Sequence, residues 1–369
     1  MESYAIAPDG DVTLVIRNPN NFFASWITPP AAEETTEPLS STIDTPDSAN
    51  AADETELEVV KPPPVDEVRF RVSSAHLMLG SPYFKSSLTG PWREAEALRA
   101  HEPIEMHCLS WDTEAMLIFL RILHAQPWKL PDTVETELLA KLAVVADYYG
   151  CQRLVKYYAT EWIAPVDMEG PVEGMRALYL GLWISWFFRH SHNFMAYSSL
   201  IIQHAKTAVD HYYGLPIPSS VIDALNKRRI QELDHVFHRI HEEREKLLDP
   251  NGPCTETCRT FMLGALIRNL HEHNMLDVSP AYKGLSLVHM VWHLKFCIPP
   301  HWKEASLEDK SVGPYTYHSC PYSTFVGLFG DLSYRVGGLQ LDEFRECEGA
   351  DDRRPTDLFA ITESLDPER

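Results

Sequence analysis

Four residues in the C-terminal third have the types and spacing of a metal-binding set. Cys254 and Cys258 form a C-x-x-x-C pair at the start of an expected helix, and His318 and Cys320 form an H-x-C pair about sixty residues later. Thiolates and a neutral imidazole are the donors zinc favours, and four of them close a tetrahedral shell around a structural ion. H-x-C is not the usual second half of such a motif. Free cysteines are also among the most commonly buried residues, so packed core thiols are the competing reading. Cys297 is a spare candidate, whereas Cys108 and Cys151 fall in elements of the N-terminal half and read as core.

Other chemistry is harder to find. His76 stands among apolar neighbours with no nucleophile or base in reach by sequence, so it reads as a packed structural residue. Lys227, Arg228 and Arg229 lie in a helix of mixed charge. They read as a solvated face, with a nuclear-localisation patch or a partner-binding helix as the sharper alternative. The chain carries no phosphate-loop, dinucleotide or nucleophile-elbow pattern. Most carboxylates fall in stretches too polar to tune a pKa by burial. The expectation is therefore a protein with no catalytic residues, no cofactor-binding residues, and no cofactor beyond a structural zinc at Cys254, Cys258, His318 and Cys320.

The 369 residues carry a net charge of -21, unevenly spread. Residues 29–67 hold eleven acids against Lys61, and residues 342–369 hold ten acids against four arginines, leaving about -5 for everything else. An acidic balance without clustered bases disfavours direct nucleic-acid contact, which depends on Lys and Arg neutralising phosphates. The N-terminus lacks a basic start and an apolar stretch, so no secretory signal is expected. The longest apolar run, Ala177 to Phe188, falls well short of the roughly 20 residues a membrane span needs and reads as a buried helix. Seven cysteines, thinly spread, suggest reduced thiols rather than a disulfide framework. Together these features predict an intracellular protein, cytoplasmic or nuclear, with no membrane association.

The elements that must position these residues follow from pattern. DVTLVIR at 11–17 alternates like a half-buried strand and ends at Asn18-Pro19-Asn20. From Thr28 to Pro64 the composition shifts to Pro, Glu, Asp, Ser, Thr and Ala, which predicts a disordered acidic insert over about 28–66. VRFRV at 68–72 alternates again. Ser73 or Ser74 then caps a short helix carrying His76, Leu77 and Leu79, and Ser81-Pro82 starts a second with Tyr83, Phe84 and Leu88. A third strand is expected at 104–107, followed by helices after Asp112, over Glu135 to Gly150, and over Cys151 to Ile163. Beyond Pro165 the period is helical, with helices expected near 172–189, 194–212, 219–247, 256–275 and 284–296. The predicted organisation is an N-terminal α+β unit over 9–165, an all-α C-terminal region over 166–345, and an acidic flexible tail over 346–369.

Residues 68–84, VRFRVSSAHLMLGSPYF, carry the strand, His, Leu, Ser and Phe spacing at the heart of BTB (POZ) domains, in which a strand feeds two short helices. The stretches KSSLTGPWRE, RILHAQ and LLAKLAVVADYYGC resemble the fungal BTB proteins in particular, as does GDVTLVIRNPN ahead of the core motif. The resemblance spans about 9–28 and 65–163, and more loosely the helical remainder. It implies a small sheet capped by helices that acts as a protein-interaction module without catalytic residues. Some members self-associate, and some are substrate adaptors of a cullin-3 ubiquitin ligase. The acidic insert between the first two strands departs from the family pattern and bears on its usual strand-exchanged dimer.

On this reading the chain is a non-enzymatic scaffold or adaptor whose partners are proteins, itself or cullin-3 among them. The alternative is a transcriptional cofactor acting through protein contacts. A third reading, from another class, is a zinc-dependent enzyme in the helical region.

Overall fold

The computed structural model describes residues 2–20, 23–24, 66–209, 213–276, 282–305 and 315–344. The expected acidic insert, apart from Asp66, and the expected acidic tail lie outside the described residues.

The fold is mixed α+β. The N-terminal elements run β1 (Glu2–Ala5), β2 (Val12–Arg17), β3 (Glu67–Val72), α1 (Ser74–Gly80), α2 (Pro82–Thr89), α3 (Arg93–Ala100), β4 (Ile104–Cys108), α4 (Thr113–Leu123), α5 (Thr136–Tyr148) and α6 (Gln152–Ala159). The strands form one sheet in the order β1-β3-β2-β4. β2 is antiparallel to β3, with Leu14 opposite Phe70, and parallel to β4, with Leu14 opposite Met106. β1 was not anticipated. It adds to β3 in parallel at the sheet edge, with Tyr4 opposite Phe70 and the two rings stacked 5.3 Å apart. α3 was also missed, because REAEALRA is charged enough to read as loop; its acids lie in the first turn and Arg99 in the last, as the helix dipole favours.

Alternation along β2 and β3 puts Val12, Leu14, Ile16, Val68, Phe70 and Val72 into the core, where they meet Leu77, Phe84, Phe119 and Tyr149 from the helices. Two expected caps are in place. Ser81 Oγ accepts from the Phe84 N–H at 3.3 Å, and Asp112 accepts from the N–H groups of Glu114 and Ala115. The cap of α1 differs from expectation. Neither Ser73 nor Ser74 serves it; Asp11, just ahead of β2, accepts from Ser74 N at 2.8 Å and from Ser74 Oγ at 2.6 Å. A side chain 63 residues away outcompetes the local one because pairing β2 with β3 delivers it to the helix start. Gly150, at φ +69, turns the chain out of α5, a conformation that glycine adopts without a Cβ penalty.

The expectation for His76 is corrected. His76 is exposed and stacks on His124, whose ring is 6% exposed and carries the structural role. His124 Nε2 accepts from Ser73 N at 3.0 Å while Nδ1 contacts Leu120 O at 2.8 Å, an arrangement that fits the neutral ring. Burial, with a smaller contribution from His76, holds its pKa below the ordinary value, against a backbone hydrogen bond that favours the charged form.

The C-terminal elements are α7 (Met175–Phe187), α8 (Ser191–His204), α9 (Ser219–Leu248), α10 (Glu256–Glu272), α11 (Leu287–Lys295), β5 (Lys303–Ala305), β6 (Tyr315–Tyr317) and α12 (Phe325–Phe329). The region is not all-α: β5 and β6 pair antiparallel, with Lys303 opposite Tyr317. Strands of three residues are too short to display an alternating period, so the sequence could not announce them. α7 is buried on every side from Leu178 to Phe187, as its apolar run implied, and Gly181 leaves room for the Tyr197 ring of α8. No helix among the described residues is long and apolar enough to cross a membrane.

The apolar interior forms two clusters. One extends from the sheet through α4–α8 to Leu225 on α9, and is rejoined by Leu339, Leu341 and Phe344. The other begins at Leu233 on α9 and takes in α10, α11 and α12. Arg229 sits between them on α9 and is only 2% exposed. Its Nε donates to Ala205 O at 2.9 Å, and its Nη2 donates to Tyr282 O at 3.0 Å and Leu285 O at 2.8 Å. The expected solvated basic face is therefore corrected for this residue. Lys227 and Arg228 are exposed, with Arg228 paired to Glu232 at 2.8 Å, but Arg229 is a buried clamp.

Two outcomes are expected. Arg229→Ala leaves three backbone carbonyls, those of Ala205 and Leu285 in buried residues, without this donor and lowers stability by about 3 kcal/mol in urea denaturation, since hydrogen bonds to charged groups are worth roughly 1.5–3 kcal/mol; Arg228→Ala shifts it by well under about 1 kcal/mol. Because the folded-state pKa of His124 is depressed, its contribution is fully present above its unfolded pKa of about 6.5. That contribution is lost as pH falls through the lower folded value. A His124→Ala chain is accordingly less stable at neutral pH by about 2 kcal/mol, and its stability is less sensitive to pH in that window.

Candidate metal centre

The four residues named from spacing meet at one point. The ligand atoms of Cys254, Cys258, His318 and Cys320 all lie within 4.8 Å of one another. Cys254 Sγ is 3.2 Å from His318 Nε2, and Cys258 Sγ is 3.8 Å from Cys320 Sγ. A tetrahedron built on zinc–sulfur bonds of about 2.3 Å and zinc–nitrogen bonds of about 2.0–2.1 Å has edges of roughly 3.5–3.8 Å; the Cys258–Cys320 edge falls in that range and the Cys254–His318 edge is somewhat shorter, so the set is close to the ion in size and suits it in donor type. All four positions come from the protein. That is the closed shell of a structural site, in contrast to the three-ligand shell that leaves a place for water or substrate.

Local structure explains each position. The loop after α9 turns through Cys254, whose φ of +70 lies in the left-handed region, and α10 starts immediately afterwards. Thr255 caps α10 by accepting from Cys258 N at 3.2 Å, so the second thiol rides on the first turn, where the helix dipole favours negative charge. Arg259, one residue further, is buried and draws the loop in. Its Nη1 donates to Gly252 O at 3.1 Å and Cys254 O at 2.7 Å, and its Nη2 donates to Pro250 O at 2.9 Å.

The other two ligands come from the chain leaving the hairpin. His318 N donates to Trp302 O at 3.1 Å, and its ring stacks on Trp302 with centroids 4.9 Å apart. Trp302 in turn stacks on Phe261 of α10 at 5.1 Å, which fixes the imidazole against the helix that carries Cys258. Cys320 heads a 3-10 turn, Pro321–Ser323, in which Cys320 N donates to Ser323 Oγ at 3.0 Å and Ser323 N donates to Cys320 O at 3.1 Å. The missed hairpin is thus the device that joins the two halves of the site.

The thiols differ in electrostatics. Burial raises the Cys320 thiol, but hydrogen bonds from His318, Cys254, the Tyr322 backbone and Cys258 outweigh it and bring it down to about 7. Cys258 moves the other way, pushed up by burial and by its contacts with Cys320 and Cys254. In a cluster of thiols the first negative charge is shared, and forming it raises the cost of the next. A divalent cation removes that conflict by neutralising the thiolates together.

The remaining cysteines fall elsewhere. Cys151 is buried in the first cluster and Cys108 packs at its edge, as expected for core thiols. Cys297 does not join the four-residue set. It lines a cleft between α10 and α11 with His273 and His293. At the cleft's edge a second constellation, not singled out by spacing, brings the ring nitrogens of His273 and His293, which line the cleft, and of His289 beside them within 4.8 Å of one another. His289 and His293, four residues apart, were legible as one helical face, whereas His273 reaches them only through the fold.

No family model matches the chain, and neither a search of curated proteins nor one of solved structures returns a significant match.

In metal-stripped protein, iodoacetamide is expected to modify Cys320 well ahead of Cys258 near neutral pH, because the thiolate is the reactive form. Added zinc should suppress both modifications, as followed by peptide mass spectrometry. Equal rates at the two positions would contradict the charge distribution described here.

Proposed function

We propose that this chain is a non-enzymatic protein-interaction scaffold or adaptor of the BTB kind, whose C-terminal part is held by a structural zinc. The order of elements in the N-terminal half carries the reading. A strand pair, β2 and β3, leads directly into the short helices α1, α2 and α3, then into β4, a strand parallel to β2, and then into the helices α4, α5 and α6. This order supports the reading, because the resemblance implies a small sheet capped by helices. The sequence that carries the likeness, residues 68–84, forms the strand-to-helix junction itself.

Two further observations favour binding over catalysis. The Cys254, Cys258, His318 and Cys320 set presents four protein donors, which suits a structural ion better than a reactive one. The helices and turns of the N-terminal half also hold large apolar side chains out to solvent. Leu79 is 87% exposed, Trp128 75% and Tyr157 78%, and exposed aromatics such as Trp128 and Tyr157 are the usual anchors of protein interfaces. The adaptor form of the reading names cullin-3 as the partner.

Light scattering on full-length protein together with a titration against the N-terminal region of cullin-3 tests the proposal. The adaptor reading expects a dimer and saturable binding. A monomer with no binding removes the adaptor function, and recovery of chromatin proteins alone in a pulldown favours the transcriptional cofactor.

A further inference from the structure

The cleft between α10 and α11 has the composition of a second metal site, unlike the first in kind. His289 and His293 stand one turn apart on α11, and His273 follows the last turn of α10. The His273 and His293 rings lie 3.6 Å apart by centroid, and His289 and His293 lie 4.3 Å apart. Three imidazoles at this separation repel one another when protonated, and among the described residues no other group gathers ligand nitrogens so closely.

The surroundings point outward to a ligand. The cleft has a volume of about 310 Å3 and is lined by His273, His293, Asn269, Glu272, Arg268 and Cys297, among others. Asn269 is 5% exposed; its Nδ2 donates to His293 O at 3.3 Å, but its buried Oδ1 has no hydrogen-bond partner. A buried acceptor left bare is costly, by about 1–3 kcal/mol, unless something in the cleft donates to it.

We propose that His273, His289 and His293 form an open three-histidine site for a divalent transition-metal ion, zinc above all. Imidazole nitrogens suit zinc, copper and nickel, and three of them leave one coordination position free. His273 and His293 line the cleft, so a water on the free position has the bare Asn269 Oδ1 as an acceptor among the same lining groups, and Glu272 of that lining supplies negative charge. The ion joins the end of α10 to α11, so its binding tightens the second apolar cluster. This site stands apart from the closed cysteine set and does not depend on the BTB reading.

Full-length chain, stripped of metal and dialysed against zinc chloride, is then assayed for bound zinc by mass spectrometry. Wild type should hold two ions, His289→Ala/His293→Ala one, and Cys254→Ser/Cys320→Ser one. If the cysteine set fails, wild type holds one ion and the double histidine variant none, which sustains this inference while removing the other. A zinc count unchanged by the histidine substitutions overturns it, as does a wild type that binds no zinc. His273→Gln, at the end of a helix, gives the same loss by one ion and guards against a folding defect in the double variant, checked by circular dichroism of the metal-free forms.

Discussion

The burial of Arg229, about a third of the way along α9, is the constraint on which the C-terminal half depends. α9 runs 30 residues and belongs to both apolar clusters, contributing Leu225 to one and Leu233 to the other. Between them the helix surface meets irregular backbone, from Ala205 after α8 and from Tyr282 and Leu285 ahead of α11, whose carbonyls need donors. An apolar side chain there would leave them bare. A guanidinium supplies several donors in a fixed fork and keeps its charge even when burial opposes it, and burial does lower its pKa here. One residue thereby ties the end of α8 and the chain ahead of α11 to α9.

The metal centre is built on this frame. α9 ends at Leu248, and Arg259 gathers the carbonyls of Pro250, Gly252 and Cys254 so that the loop presents one thiol while the first turn of α10 presents another. On the opposite side, Arg239 of α9 bonds to Asp331 and to Leu328 O, anchoring α12 just after the turn that carries Cys320. Both halves of the site are therefore referenced to the same helix. Ligands separated by more than sixty residues gain their preorganisation from α9 and from the Phe261, Trp302 and His318 stack rather than from local sequence. A closed thiolate-rich shell is a cross-link in such an arrangement, and its binding free energy becomes folding free energy.

The N-terminal half uses a similar device with neutral and acidic groups. Asp11 and His124 each reach across from another element to the start of α1, one to Ser74 and the other to Ser73. The strand-to-helix junction is thus held from just ahead of β2 on one side and from the end of α4 on the other. Of the exposed apolar residues, Leu79 stands on the helix anchored in this way.

The sequence by itself determined the local and periodic features. Alternation in 12–17 and 67–72, the Ser81-Pro82 and Asp112 helix starts, the fully buried character of α7 and the long α9 all follow from patterns within one element. It also named the four donors of the metal centre, because residue type and the C-x-x-x-C spacing survive without coordinates. Tertiary structure alone decided the rest. Which histidine of the N-terminal half is structural, which of three consecutive basic residues is buried, and that His273 stands beside His289 and His293 depend on elements meeting from distant parts of the chain. The β5–β6 pairing was hidden for a related reason: strands of three residues pair with each other and are too short in themselves to carry a period to read.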